Sequence, residues 1–239
     1  MRFLCFHGRG TNAKIFEAQT AAIRYELGDG HEYEFVNGTT RAQLAPELKG
    51  SILNTNTANN EDGITDFTPL SYCNETDPVS VLAALEQLSS YLEAEGPFDG
   101  VIAFSMGAAF VTTWILDQLA NTQAHATSLP FKCIVLFSSS IPGNATAMRE
   151  GRLEDIAVTV DAAETATPAI TIPTAHIWGA NDDLAKDMPS KVFNLCDPAA
   201  RSVFVHGGGH EVPSASERDV TLAVNVIRRC ISLAQEADT

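Results

Sequence analysis

The chain has 239 residues, of which 45% are hydrophobic and 19% charged. That balance is globular and excludes a disordered or coiled-coil chain. Acidic side chains outnumber basic ones by 30 to 15, for a formal charge of −15, and such a field repels phosphate backbones and argues against nucleic-acid binding.

Arg2–Phe6 is short and apolar and ends at His7-Gly8. It lacks the full apolar core and cleavage site of a signal peptide, so it reads as a strand. Ala13–Leu27 places Ile15, Phe16, Ala22, Ile23 and Leu27 at helical spacing, with Gln19 the one polar member of that stripe. Tyr33–Val36 reads as a second strand. Residues 37–78 are rich in Asn, Thr, Pro and Gly and read as a long excursion, which in a compact domain is functional or disordered. Pro78–Glu95 is an amphipathic helix carrying Val81, Leu82, Leu85, Leu88 and Leu92, with Asp77 as its cap and Pro78 in its first turn. Gly100–Phe104 is a buried strand, Met106–Ala120 an apolar helix and Cys133–Phe137 a further strand. Ser138–Thr171 is a second excursion, partly helical. Thr174–Trp178 is a strand, Leu184–Leu195 a helix, Ser202–Val205 the last strand and Ser214–Ala234 the closing helix.

Strands that are apolar throughout, alternating with helices, indicate an α/β domain with a mostly parallel sheet covered on both faces. No repeat or linker divides the chain, so residues 1–239 read as one domain. No apolar run approaches the roughly 20 residues that cross a bilayer. The five cysteines are scattered, none in a C-x-x-C, as expected for reduced thiols in a cytoplasmic protein. The sequons at Asn37, Asn74 and Asn144 are then accidental. A dinucleotide fold is disfavoured, because the first strand leads into His7-Gly8-Arg9-Gly10 and not G-x-G-x-x-G.

The most informative stretch is Gly100-Val101-Ile102-Ala103-Phe104-Ser105-Met106-Gly107. A strand runs into a serine and a helix starts at once, the context of a nucleophile elbow. The usual pattern is G-x-S-x-G, and here Ala103 replaces the first glycine. The plainer alternative is a serine that caps a helix. In folds built on this elbow the acid and then the histidine follow in chain order. Asp182 follows the strand Thr174–Trp178, and His210 follows Ser202–Val205 in a glycine-rich loop. Alone, Asp182 would read as a turn residue and His210 as a surface histidine; the order at successive strand ends makes Ser105, Asp182 and His210 a candidate triad. His206 is the rival base, closer to its strand and less free to move. Asp183 is the rival acid. His31, His125 and His176 have no clustered partners, and no metal or cofactor pattern is present. An oxyanion needs two backbone donors. Met106 supplies one, as the residue after the nucleophile, and Arg9 in the loop after the first strand supplies the other. His7 hydrogen-bonds within that loop.

Five segments resemble the fungal serine hydrolases of the FSH family: Phe3-Leu4-Cys5-Phe6-His7-Gly8, Gly96-Pro97-Phe98-Asp99-Gly100-Val101, Phe104-Ser105-Met106-Gly107-Ala108, Gly179-Ala180-Asn181-Asp182 and Gly208-Gly209-His210. The resemblance runs from Phe3 into the final helix. It implies an α/β-hydrolase fold and carries nucleophile, acid and base onto Ser105, Asp182 and His210. Some members are general esterases, and others release polyketides from a synthase by hydrolysing a carrier-bound thioester. The expectation is therefore an acyl hydrolase acting on an ester or thioester, with an acyl carrier domain of a polyketide synthase as partner. A general carboxylesterase, a silent acyl-binding member, and transfer or cyclisation in place of hydrolysis stay open. The excursions 37–78 and 139–170 are expected to wall the pocket, and Arg9, Arg41, Arg149 and Arg152 are the cations available to an acidic carrier.

Overall fold

The computed structural model describes residues 1–46, 68–122, 129–156 and 169–236. Six strands form one parallel sheet in the order β2-β1-β5-β6-β7-β8. They are β1 (Arg2–Phe6), β2 (Glu32–Val36), β5 (Gly100–Phe104), β6 (Cys133–Phe137), β7 (Thr174–Gly179) and β8 (Arg201–His206). A separate antiparallel pair joins β3 (Thr40–Arg41) to β4 (Leu70–Ser71). The helices are α1 (Ala13–Gln19), α2 (Ala21–Leu27), α3 (Pro78–Glu95), α4 (Met106–Thr122), α5 (Ala145–Arg149), α6 (Met188–Asn194) and α7 (Glu217–Glu236).

Successive strand side chains point to opposite faces, so a strand buried on both faces is apolar at every position. Leu4, Phe6, Val101, Ala103, Ile134 and Leu136 meet α3 and α4 on one face. Phe3, Cys5, Ile102, Phe104, Val135 and Phe137 meet α1, α2 and α7 on the other. Both faces are therefore covered, as the alternation of elements implies. Phe137 is fully buried at the middle of the sheet, and truncating it to alanine would cost about 3–5 kcal/mol. No helix among the described residues is long and apolar enough to cross a membrane.

The last helix runs Glu217–Glu236 rather than from Ser214 to Ala234, and α4 extends to Thr122; two other helices depart further from their sequence-based bounds. The stripe over Ala13–Leu27 is two helices that meet at Thr20. The Thr20 hydroxyl is buried and donates to the Phe16 and Glu17 carbonyls, and such back-bonding competes with a regular helix. The helix expected from Leu184 begins only at Met188. Asp182 Oδ1 holds the Leu184 and Ala185 N–H groups in a turn, and Lys186 follows at φ 43°. The long α3 keeps its bounds, capped by Asp77, whose carboxylate accepts the Val79 N–H at 3.0 Å.

Candidate active site

β5 delivers Ser105 to the C-terminal edge of the sheet. The serine stands at φ 55°, the left-handed region that L-residues avoid, and its N–H donates to the Phe137 carbonyl at 2.9 Å. Strain of this kind persists only where the surroundings impose it. Here α4 is pressed onto the end of β1: a Cβ on Gly107 would lie 2.4 Å from the His7 carbonyl oxygen. Ala103 is fully buried between Phe6 and Leu136 in the sheet. The elbow thus accommodates alanine before the serine and presses its backbones together after it, at Gly107.

The acid and base loops are clasped to each other. A Cβ on Gly179 would come within 2.2 Å of the Gly209 carbonyl and 2.3 Å of that of Gly208. The Ala180 N–H donates to the His206 carbonyl at 2.7 Å, and the Asn181 N–H to that of Gly208 at 3.0 Å. The Asn181 side-chain amide donates to the Gly207 carbonyl at 2.8 Å. This contact places Asp182, 5% exposed, under His210. Asp182 Oδ2 lies 2.8 Å from His210 Nδ1, and His210 Nε2 lies 2.7 Å from Ser105 Oγ. A carboxylate only accepts, so Nδ1 carries the imidazole proton and Nε2 faces the serine as an acceptor. The structure therefore brings Ser105, His210 and Asp182 together.

It does not bring the rivals there. Asp183 is exposed. His206 is buried, its Nδ1 accepts the Gly208 N–H at 3.1 Å, and burial holds its pKa below the ordinary histidine value.

The loop after β1 is fixed from several sides. His7 is fully buried, and burial lowers its pKa to about 4. Its Nδ1 donates to the Gly8 carbonyl at 2.7 Å and its Nε2 accepts the Gly38 N–H at 2.9 Å, so the ring is neutral and its tautomer is set. The His7 N–H donates to the Tyr72 hydroxyl at 2.8 Å, and that ring stacks on Phe110. Thr11 Oγ1 donates to the Gly8 carbonyl at 2.7 Å, and the Gly10 N–H to that of Leu70 at 2.9 Å. Gly8 has no room for a side chain, since a Cβ would sit 2.8 Å from the Phe104 ring. Among the described residues the Arg9 N–H has no hydrogen-bond acceptor. Met106 opens α4, where N–H groups lack helical partners. The reach of His7 to Gly38 and the part of Tyr72 are absent from the sequence reading, because both join segments about 30 to 65 positions apart.

Two clefts meet at Ser105. One, of about 450 Å³, is lined by Met106, Ala109, Phe110, Ile141, Met148 and Leu153. The other, of about 670 Å³, is lined by Gln19, Phe104, Leu184, His210, Glu211 and Val212. Arg9 and Ser140 border both. From the first excursion Cys73 and Glu75 reach the smaller cleft, whereas Leu70 is buried in the β3–β4 pair. Ile52, Leu53, Ile64 and Phe67 lie outside the described residues. Three of the four candidate carrier-binding arginines are paired: Arg9 with Glu75 at 3.5 Å, Arg149 with both Asp117 oxygens at 2.7 and 2.6 Å, and Arg152 with Glu150 and Glu154.

A family model described as "Serine hydrolase (FSH1)" matches residues 1–221. The esterase FPY3 of Fusarium mangiferae is 31% identical over 237 residues, covering 98% of both chains. The hydrolase FUB4 of Gibberella moniliformis is 26% identical over 283 aligned positions, covering 98% of this chain and all of its own. Among solved structures, a carboxylesterase from Mesorhizobium loti superposes with a TM-score of 0.56 at 13% identity, over 95% of this chain and 88% of its own.

Proposed function

The chain belongs to the FSH1 family of serine hydrolases, and on that premise we propose that it cleaves an acyl thioester through an acyl-Ser105 intermediate, with the acyl chain presented on a carrier protein. The observation that carries the catalytic part is the line Ser105 Oγ, His210 Nε2, His210 Nδ1, Asp182 Oδ2, with both hydrogen bonds at 2.7–2.8 Å. His210 takes the hydroxyl proton as Oγ attacks the carbonyl carbon. Asp182 holds the imidazole in its tautomer and stabilises the imidazolium that forms. The N–H groups of Met106 and Arg9 face the oxyanion. His210 then returns the proton to the leaving sulfur, and a water activated by the same ring hydrolyses the acyl-serine. Because the leaving atom must be protonated by His210, it departs into the cleft that His210 lines. The acyl chain occupies the cleft of Ala109, Phe110, Ile141 and Met148. No cofactor enters this scheme.

A second reading, hydrolysis of small oxoesters, is favoured by the pairing of Arg9, Arg149 and Arg152, which leaves little positive charge to attract an acidic carrier. The deciding experiment compares kcat/KM for one acyl chain as a carrier-bound thioester, a short thiol thioester and an oxoester. A carrier-bound preference of about a hundredfold, roughly 2.8 kcal/mol of transition-state binding, supports off-loading. An oxoester that equals or exceeds the carrier-bound chain overturns it in favour of esterase action.

A further inference from the structure

We infer that Phe110 sets the length of acyl chain the enzyme accepts: its ring ends the acyl cleft, and behind the ring lies a second apolar cleft that it keeps closed to the chain. The inference rests on the proposed reaction, in which the acyl group on Ser105 enters the cleft of Ala109 and Phe110.

Three elements mark the partition. α4 gives Phe110 to both spaces: the side chain lines the 450 Å³ cleft that holds Ser105 and also a separate cleft of about 460 Å³. α3 gives Val81 to the first and, one and two turns later, Ala84 and Leu88 to the second. The segment after β4 gives Cys73 to the first and Tyr72 to the second. The change from one cleft to the other thus falls at one level of the fold, and Phe110 stands there. Its ring is fixed. It stacks on Tyr72 with centroids 4.9 Å apart and planes 6° from parallel, and Phe6 meets it at 6.1 Å. Tyr72 cannot swing aside, because its hydroxyl accepts the His7 N–H at 2.8 Å and donates to the Val36 carbonyl at 3.2 Å.

The first cleft also carries Arg9, Glu75, Glu154 and Asp155, all from loops. Its helical wall is apolar except for Thr113, whose hydroxyl is already engaged, donating to the Ala109 carbonyl at 2.8 Å and accepting the Gly143 N–H at 2.9 Å. An apolar chain leaving Ser105 gains most along that wall. Phe110 crosses its path five residues on, about 7.5 Å of helix rise. The second cleft has a buried floor of Phe6, Tyr72, Ala84 and Leu88, with Asn37, Thr39 and Gln87 exposed at its rim. Removing the ring would join this space to the first and lengthen the apolar path.

The test uses straight-chain acyl thioesters of N-acetylcysteamine, from two to sixteen carbons. In wild type, kcat/KM should rise by about fourfold per methylene over the first carbons, as burial of each group predicts, and then level off or fall. Phe110→Ala should let the rise continue, so that the ratio of dodecanoyl to hexanoyl rates grows by about tenfold or more. Ala84→Phe alone should leave that ratio as in wild type. Combined with Phe110→Ala it should abolish the gain, because the new ring fills the second cleft. An unchanged ratio in Phe110→Ala, or an equal change at every chain length, overturns the assignment. A gain that survives Ala84→Phe overturns the second cleft as the space the ring closes. Fluorophosphonate labelling of Ser105 shows that the site has formed in each variant. Phe110→Leu, with a smaller gain in the same direction, replaces the alanine variant if that one fails to label. Absence of labelling in wild type overturns instead the nucleophile reading beneath the inference. A profile moved by Leu184→Trp and not by Phe110→Ala puts the acyl chain in the His210 cleft, and overturns the placement on which the inference rests.

Discussion

Each proton in the line from Ser105 to Asp182 has one place to sit. Asp182 Oδ1 is occupied by the Leu184 and Ala185 N–H groups, which leaves Oδ2 for His210. Removing the serine hydroxyl should cost on the order of 10⁶ in kcat, as loss of a triad nucleophile does, with the fold intact. His210→Ala should approach that loss while His206→Ala stays far milder, because His206 touches the Gly208 N–H and not the serine. Asp182→Asn should slow turnover far more than Asp183→Asn, since Asp183 is exposed. Steady-state rates of the five variants check the ordering, and a reversal within either pair reassigns that role.

Two other histidines predict how stability responds to acid. Burial lowers the His7 pKa to about 4 and that of His176 to about 3, against an ordinary value near 6.5. Both are neutral in the folded chain, and the unfolded chain protonates first as pH falls. Their contribution is complete above about pH 6.5 and is lost progressively as pH drops toward 4 and 3. Urea unfolding between pH 7 and 4.5 should therefore show stability falling, with His176→Gln lowering the slope by about one proton, roughly 1.4 kcal/mol per pH unit. An unchanged slope would mean that His176 is protonated in the native core.

At the scale of elements, the glycines decide where loops and helices meet. Gly107→Ala drives a Cβ to 2.4 Å from the His7 carbonyl, and Gly179→Ala drives one to 2.2 Å from that of Gly209. Backbone cannot rotate away, so each should lower kcat at least tenfold, the first by lifting α4 and the second by parting the acid and base loops. Ala103→Gly should do neither. It should cost about 1 kcal/mol of stability through backbone entropy and leave kcat/KM within threefold. Thermal melts and kinetics of the three variants check this contrast.

The same scale explains what could be read from sequence. β1, β5 and β6 are legible because burial on both faces leaves Phe3–Phe6, Val101–Phe104 and Cys133–Phe137 apolar, β7 is legible despite its buried Thr174 and His176, and the chain order of the strands puts Ser105, Asp182 and His210 at one edge of the sheet. The break at Thr20 is not legible, since the apolar stripe continues through it and one hydroxyl makes the difference. The β3–β4 pair is not legible either: two residues join across about 30 positions, held by the Gly10 and Thr11 backbone. The delayed start of α6 follows from Asp182, whose carboxylate caps a turn in the same act that orients His210.

At the scale of the whole molecule, the charge of −15 sets how a substrate arrives. Arg9, Arg149 and Arg152 face carboxylates of the chain itself, so their fields are largely cancelled at a distance. In the small cleft Asp155 adds a carboxylate beyond Glu75 and Glu154, the partners of Arg9 and Arg152. An acidic carrier approaching this surface meets a like charge, and a neutral short-chain thioester meets none. Salt shortens the Debye length from about 30 Å at 0.01 M to about 8 Å at 0.15 M. It should therefore relieve the repulsion. For an acyl chain on an acidic carrier, kcat/KM should rise by about threefold or more over that range. For the same chain on N-acetylcysteamine it should stay flat. Steady-state kinetics with both substrates at each ionic strength separate encounter from chemistry, because the acyl group and Ser105 are common to them. A carrier-bound rate that falls with salt would reveal attraction, and with it a basic surface that the paired arginines do not provide.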